Sequence, residues 1–71
     1  MNENINKRFG RSVADLRLKV GLTQEELADR CYVHRTYIGA IERGEKSPTL
    51  NTIEKIATGL RIEIKDLIGN I

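Results

Sequence analysis

Apolar residues recur along this chain at the three- and four-residue steps of an α-helix. Ile5, Phe9, Val13, Leu16 and Val20 form a first stripe, and Gly21 marks its end. Thr23 follows as an N-cap, and Glu26 completes a capping box for a second helix whose inner face is Leu27, Ala28 and Cys31. A third helix is predicted from His34 or Arg35 to Arg43, burying Ile38 and Ile41, with Gly44 as a left-handed stop. Ser47 and Pro48 suit an N-cap and a first-turn proline. Leu50, Ile53, Ile56, Ala57 and Leu60 then make the inner face of a fourth helix. The alternating run Arg61 to Asp66 is ambiguous between strand and helix, and a last helix is expected over Ile64 to Ile68, ended by Gly69. No repeat, linker or low-complexity segment interrupts the pattern. The expectation is one all-α domain over residues 1–71.

Composition narrows the picture. Seventy-one residues give a thin core, and pairing with a second chain often helps at this size. Twelve basic against ten acidic residues leave +2, with a pI near 8.9. That is too little for a tail that coats nucleic acid by charge alone, yet it allows a local patch. Lys7, Arg8, Arg11, Arg17 and Lys19 face only Asp15, whereas Glu25, Glu26 and Asp29 cluster just after. The lone Cys31 excludes an internal disulfide and a cysteine-based zinc site, and fits a reducing compartment. No apolar run suggests a signal peptide or a membrane span, so a cytoplasmic protein is expected. No nucleophile–base pair, carboxylate pair or phosphate loop is visible, so neither an enzyme nor a cofactor is expected.

The segment Thr23 to Gly44 carries the chemistry. It reads as two short helices joined by a turn, the second with Arg35, Thr36, Gly39, Ala40 and Arg43 on a face that no core needs. Such a face suits the DNA major groove. The planar fork of Arg35 matches O6 and N7 of guanine, and Thr36 suits a thymine methyl or a base edge. Gly39 and Ala40 let the backbone sit deep. The Tyr37 ring either packs at the domain edge or brings its hydroxyl to a phosphate or base. Arg43 is placed for a base or a phosphate. Gln24, in the first turn of the second helix, suits a phosphate. Lys46 and Ser47 are candidates for the same role, with Asn51 and Thr52 a weaker pair. His34 is an N-cap or phosphate neighbour, and no second histidine exists to share a metal.

Leu22-Thr23-Gln24-Glu25-Glu26-Leu27-Ala28, Ile41-Glu42-Arg43-Gly44, Pro48, and Ile56-Ala57 followed by Leu60 occur in one order and spacing. On these motifs the chain resembles the lambda-repressor-like, or Cro/XRE-type, helix-turn-helix family over nearly its whole length. His34-Arg35-Thr36-Tyr37-Ile38 looks most like the controller proteins of restriction–modification systems. The resemblance implies a compact five-helix domain with the helix-turn-helix at helices 2 and 3, and a DNA-backbone contact at Gln24. It also implies an ion pair between Arg17 and Glu42 that orients the recognition helix. Glu25 and Asp29 match positions that touch RNA polymerase in lambda-type repressors. Two departures stand out. Tyr32 occupies a turn position commonly held by left-handed Gly, which argues for a looser turn. Arg61 occupies the position of the Gly that usually ends helix 4.

Ile62, Ile64, Leu67, Ile68 and Ile71 are more apolar positions than a terminal helix needs, which predicts a symmetric dimer through helix 5. The alternative is that they only complete the monomer core. The expected function is a transcriptional regulator binding a palindromic operator in double-stranded DNA as a homodimer, with RNA polymerase as a further partner and no membrane or small-molecule substrate. A restriction–modification controller that activates, represses or does both fits best. A phage-type or chromosomal repressor, or an antitoxin-like interaction module, is the competing reading.

Overall fold

The computed structural model describes residues 4–69. Its elements are α1 (Ile5–Lys19), α2 (Gln24–Cys31), α3 (Arg35–Glu42), α4 (Leu50–Leu60) and α5 (Ile64–Ile68), with no strand among the described residues. The ambiguous run Arg61 to Asp66 is therefore a turn followed by the start of α5. The side chain of Asn4 caps α1 by accepting from the Lys7 N–H at 3.0 Å. No helix among the described residues is long and apolar enough to cross a membrane.

Four of the helices end in one geometry. Gly21, Tyr32, Gly44 and Arg61 all have left-handed φ, between 59° and 79°. The following N–H of Leu22, Val33, Glu45 and Ile62 reaches back to the carbonyl of Arg17, Ala28, Ala40 and Ala57 at 2.9–3.1 Å. These bonds satisfy carbonyls that the helix end leaves open. The looser turn expected at Tyr32 is thus corrected: the residue accepts the left-handed conformation, and its ring, 89% exposed, meets no steric obstacle. Arg61 does the same, so α4 ends at Leu60 without glycine.

The core is built from Phe9, Val13, Leu27, Ala28, Cys31, Ile38, Ile41, Ile56, Ala57, Leu60 and Leu67. Helix α3 packs on α1 and α2, α2 packs on α4, and α5 rests on α1 and α4. The apolar stripes mark most of these residues, and the exceptions sit at helix ends. Ile5 and Val20 are 58% and 52% exposed, because they lie in the first turn and at the C-cap of α1. Leu50 is 83% exposed, not an inner-face residue, since it opens α4 where no other helix covers it. The cap of α4 is Thr49, whose hydroxyl accepts from the Thr52 N–H at 3.2 Å, and not Ser47. Ser47 instead donates to Asn6 Oδ1 at 3.0 Å, and Pro48 precedes the helix.

Two close approaches fix how the recognition unit sits. Gly10 of α1 lies against the backbone of α3, where a Cβ would collide with the carbonyl oxygens of Ile41 and Glu42. A Cβ on Gly59 would stand 2.8 Å from Cys31 Sγ, so α4 also lies close on α2, there against side chains. Backbone atoms cannot swing aside as a flexible side chain does. Gly10→Ala is therefore expected to lower stability by about 1–3 kcal/mol through overpacking, read as a lower midpoint in thermal unfolding followed by circular dichroism. An unchanged midpoint would show that α1 and α3 have room to separate.

Candidate nucleic-acid interface

Helix α2 starts on a complete capping box. Thr23 Oγ1 accepts from the Glu26 N–H at 3.0 Å, and the Thr23 N–H donates to Glu26 Oε1 at 2.8 Å. The bond from the Thr23 backbone is the main reason that the Glu26 carboxyl is held below its ordinary value of 4.5. A depressed carboxylate contributes stability above its unfolded pKa and loses it as pH falls through the folded value. Acidification below about pH 4 is thus expected to fray the first turn of α2 before the core melts. Amide exchange at Thr23, whose N–H donates to the carboxylate, would measure this against pH, and protection that does not change as the carboxylate is protonated would refute it.

Helix α3 opens on His34, whose Nδ1 accepts from the Thr36 N–H at 3.1 Å and lies 2.8 Å from the Thr36 hydroxyl. Of the two roles considered for His34, the structure has the N-cap. Thr36 is exposed, with its hydroxyl turned toward His34. Arg35 stands one position earlier with its side chain 65% exposed, and its Nη1 lies 3.9 Å from Glu25 Oε1. Tyr37 packs partly buried against the core, and Ile38 and Ile41 are fully buried on the opposite face.

The far end of α3 is anchored by a buried polar cluster. Arg17 Nε donates to Glu42 Oε2 at 2.7 Å and Nη2 to Oε1 at 3.1 Å, with the side chains only 11% and 6% exposed. Arg17 Nη1 also caps the Leu22 carbonyl at 2.7 Å. The side-chain bond to Glu42 raises the Arg17 pKa, outweighing the burial that lowers it. Gln24 joins the cluster by donating from Nε2 to Glu42 Oε1 at 2.8 Å. One carboxylate therefore ties α1, α2 and α3 together at the first turn of α2.

The other candidates are placed unevenly. Ala40 is corrected: at 8% exposed it belongs to the buried side, and Gly39 is buried as well. Arg43 is the C-cap of α3, exposed and doubly bonded to Glu45. Lys46 and Asn51 are exposed, Ser47 is tied to Asn6, and Thr52 is engaged with the Thr49 cap. Glu25 and Asp29 are both exposed on α2. Sequence reasoning missed Glu45, although Arg43 and Glu45 flank Gly44 and carry opposite charges. It also missed Ser12, whose buried hydroxyl donates to the Leu67 carbonyl at 2.7 Å and joins α1 to α5.

The expected dimer face is divided. Leu67 is fully buried in the core and unavailable to a partner, because α5 turns this residue inward. Ile62 packs partly buried against the core, while Ile64 and Ile68 are 41% and 39% exposed. Ile68 lines an apolar groove with Ile5, Phe9, Pro48 and Ile53, so the first turn of α1 belongs to the same surface. Ile71 lies outside the described residues.

The two short helices at a tight turn, the exposed first turn of α3 and its buried anchor define a helix-turn-helix DNA-binding regulator. Residues 13–67 match the Helix-turn-helix family model, and the chain belongs to that family. It is 46% identical over 69 residues to the control protein C.BamHI of Bacillus amyloliquefaciens, covering 96% of this chain and 85% of that one. It is 39% identical over 72 residues to the control protein C.MunI of Mycoplasma sp., covering 100% and 96%. The crystal structure of the restriction–modification controller protein C.AhdI from Aeromonas hydrophila superimposes with a TM-score of 0.86 at 40% identity, covering 87% of this chain and 94% of that one. These relatives are regulators and controllers, not enzymes.

Proposed function

We propose that this chain is the controller protein of a restriction–modification system, binding a palindromic operator as a homodimer and switching transcription from it. The single observation that carries the base-reading part is the first turn of α3, where Arg35 and Thr36 stand exposed while the Arg17–Glu42 pair fixes the helix behind them. Arg35 presents two donors to a guanine edge, and Thr36 presents a methyl and a hydroxyl to the neighbouring base. Arg43 adds a base or phosphate contact. Gln24, Lys46, Ser47, Asn51 and Thr52 hold the backbone, with the free N–H groups at the start of α2 favouring an anion at Gln24.

Two copies join through α5, where Ile64 and Ile68 are exposed, and the adjoining groove edged by Ile5 and Ile68, so that two α3 helices reach half-sites about one DNA turn apart. Glu25 and Asp29 offer an exposed acidic surface to RNA polymerase. The protein acts in the cytoplasm, where its DNA lies. The 46% identity to a control protein over nearly the whole chain supports the controller role.

Selection of binding sites from a pool of random duplexes tests the reading. A palindromic consensus is expected, with affinity that falls steeply as salt rises, because phosphate contacts release counterions. Sedimentation at tens of micromolar should give a dimer. A selected pool without consensus would overturn the DNA reading, and a monomer would overturn the assembly.

A further inference from the structure

Arg43 does not extend freely from the end of α3. Its Nε and Nη2 donate to the two Glu45 oxygens at 2.9 and 3.1 Å, fork against fork. Its remaining nitrogen lies over Gly39, one turn back on the same helix. A Cβ built on Gly39 would stand 3.1 Å from Arg43 Nη1 and 3.5 Å from Gln24 Oε1. The guanidinium is thus folded back along α3, gripped by Glu45 and lying in the space that Gly39 leaves. Gln24 is itself fixed, because its Nε2 is bound to Glu42. The contact with Arg43 in turn keeps the Glu45 carboxyl below its ordinary range.

We propose that Glu45 and Gly39 set sequence specificity by positioning Arg43, without touching DNA themselves. The inference rests on the DNA-reading role of α3 proposed above. Both partners of the Arg43–Glu45 pair are more than half exposed, so the pair is screened and gives way when comparable acceptors are offered. A guanine edge supplies O6 and N7 in one plane and replaces both bonds at once. A phosphate can also take the fork in two bonds, but it brings a second anion beside the Glu45 carboxylate, which the neutral guanine edge does not. Glu45 therefore disfavours phosphate engagement by Arg43 more than engagement of a guanine edge. Gly39 completes the arrangement. A methyl there would meet only the side-chain ends of Arg43 and Gln24, so the fold survives while the guanidinium is pushed a few tenths of an ångström out of its seat. This also accounts for a glycine inside an eight-residue helix, where alanine is the better helix former.

The test uses the full chain, a duplex that the wild-type protein selects from a random pool, and a scrambled duplex of the same composition. Glu45→Gln is expected to tighten binding to the scrambled duplex about three- to tenfold more than to the selected one, so that the specificity ratio falls. In an Arg43→Ala background the same substitution should shift both duplexes equally. Gly39→Ala should keep or raise the melting midpoint while weakening binding to the selected duplex about fivefold or more. Equal shifts of both duplexes by Glu45→Gln, or wild-type binding of the selected duplex by Gly39→Ala, would overturn the proposal. Failure of the wild-type protein to select any sequence is a separate result, and overturns the DNA reading itself.

Discussion

Arg35→Ala is expected to abolish most of the discrimination between the selected duplex and a scrambled one while leaving binding to the scrambled duplex nearly unchanged. A bidentate arginine–guanine contact gives roughly 1–3 kcal/mol of discrimination, or about five- to over a hundredfold per half-site, and a two-fold complex uses it twice. The side chain is available for that contact because the Glu25 carboxylate beside it is 3.9 Å away and both groups are about two-thirds exposed. An ion pair of that length in water holds little. Arg35→Lys should fail almost as badly, since an ammonium is a point charge without the planar fork. Competitive gel shifts with the two duplexes measure the ratio. If Arg35→Ala retained it, another residue would have to be reading the bases.

Glu42→Ala is expected to destabilise the fold strongly. It removes the acceptor of two Arg17 bonds and one Gln24 bond and strands the Arg17 guanidinium at a site where the side chain is only 11% exposed. Cutting one partner from a buried pair costs about 3–5 kcal/mol, a large part of the roughly 5–15 kcal/mol that holds a small domain together. The melting midpoint should fall by more than about 10 °C. Replacing both partners with apolar residues, Arg17→Met with Glu42→Leu, should recover much of the loss because no charge is then left unpaired. DNA binding should stay impaired in the double variant, since Gln24 has lost its anchor at the start of α2. A double variant as unstable as Glu42→Ala would mean that the pair itself, and not the stranded charge, carries the stability.

The particular elements show what could be read in advance. The Thr23–Glu26 box and the left-handed Gly44 follow from local chemistry: each needs only residues within a few positions of one another. The buried faces of α2 and α3 follow from helical spacing alone. The cap of α4 was equally local, yet Ser47-Pro48 made a more familiar pattern than Thr49 with Thr52. Tyr32 and Arg61 went against residue preference because closing bonds to Ala28 and Ala57 outweigh the modest strain of a non-glycine left-handed residue.

By itself the sequence determined the number and type of helices, the inward faces of the middle ones, and the exposed Arg35-Thr36 pair that opens α3. Those properties depend on periodicity and on caps, and both are written within a few residues. Only the tertiary structure decided that Ala40 and Leu67 are buried, that Gly10 and Gly59 are points of close helix crossing, and that Ser12 holds α5. It alone placed Gln24 on Glu42 and folded Arg43 over Gly39 against Glu45. Burial at a helix end depends on which other helix covers it, and the aim of a long polar side chain depends on partners that the chain brings close only after it folds.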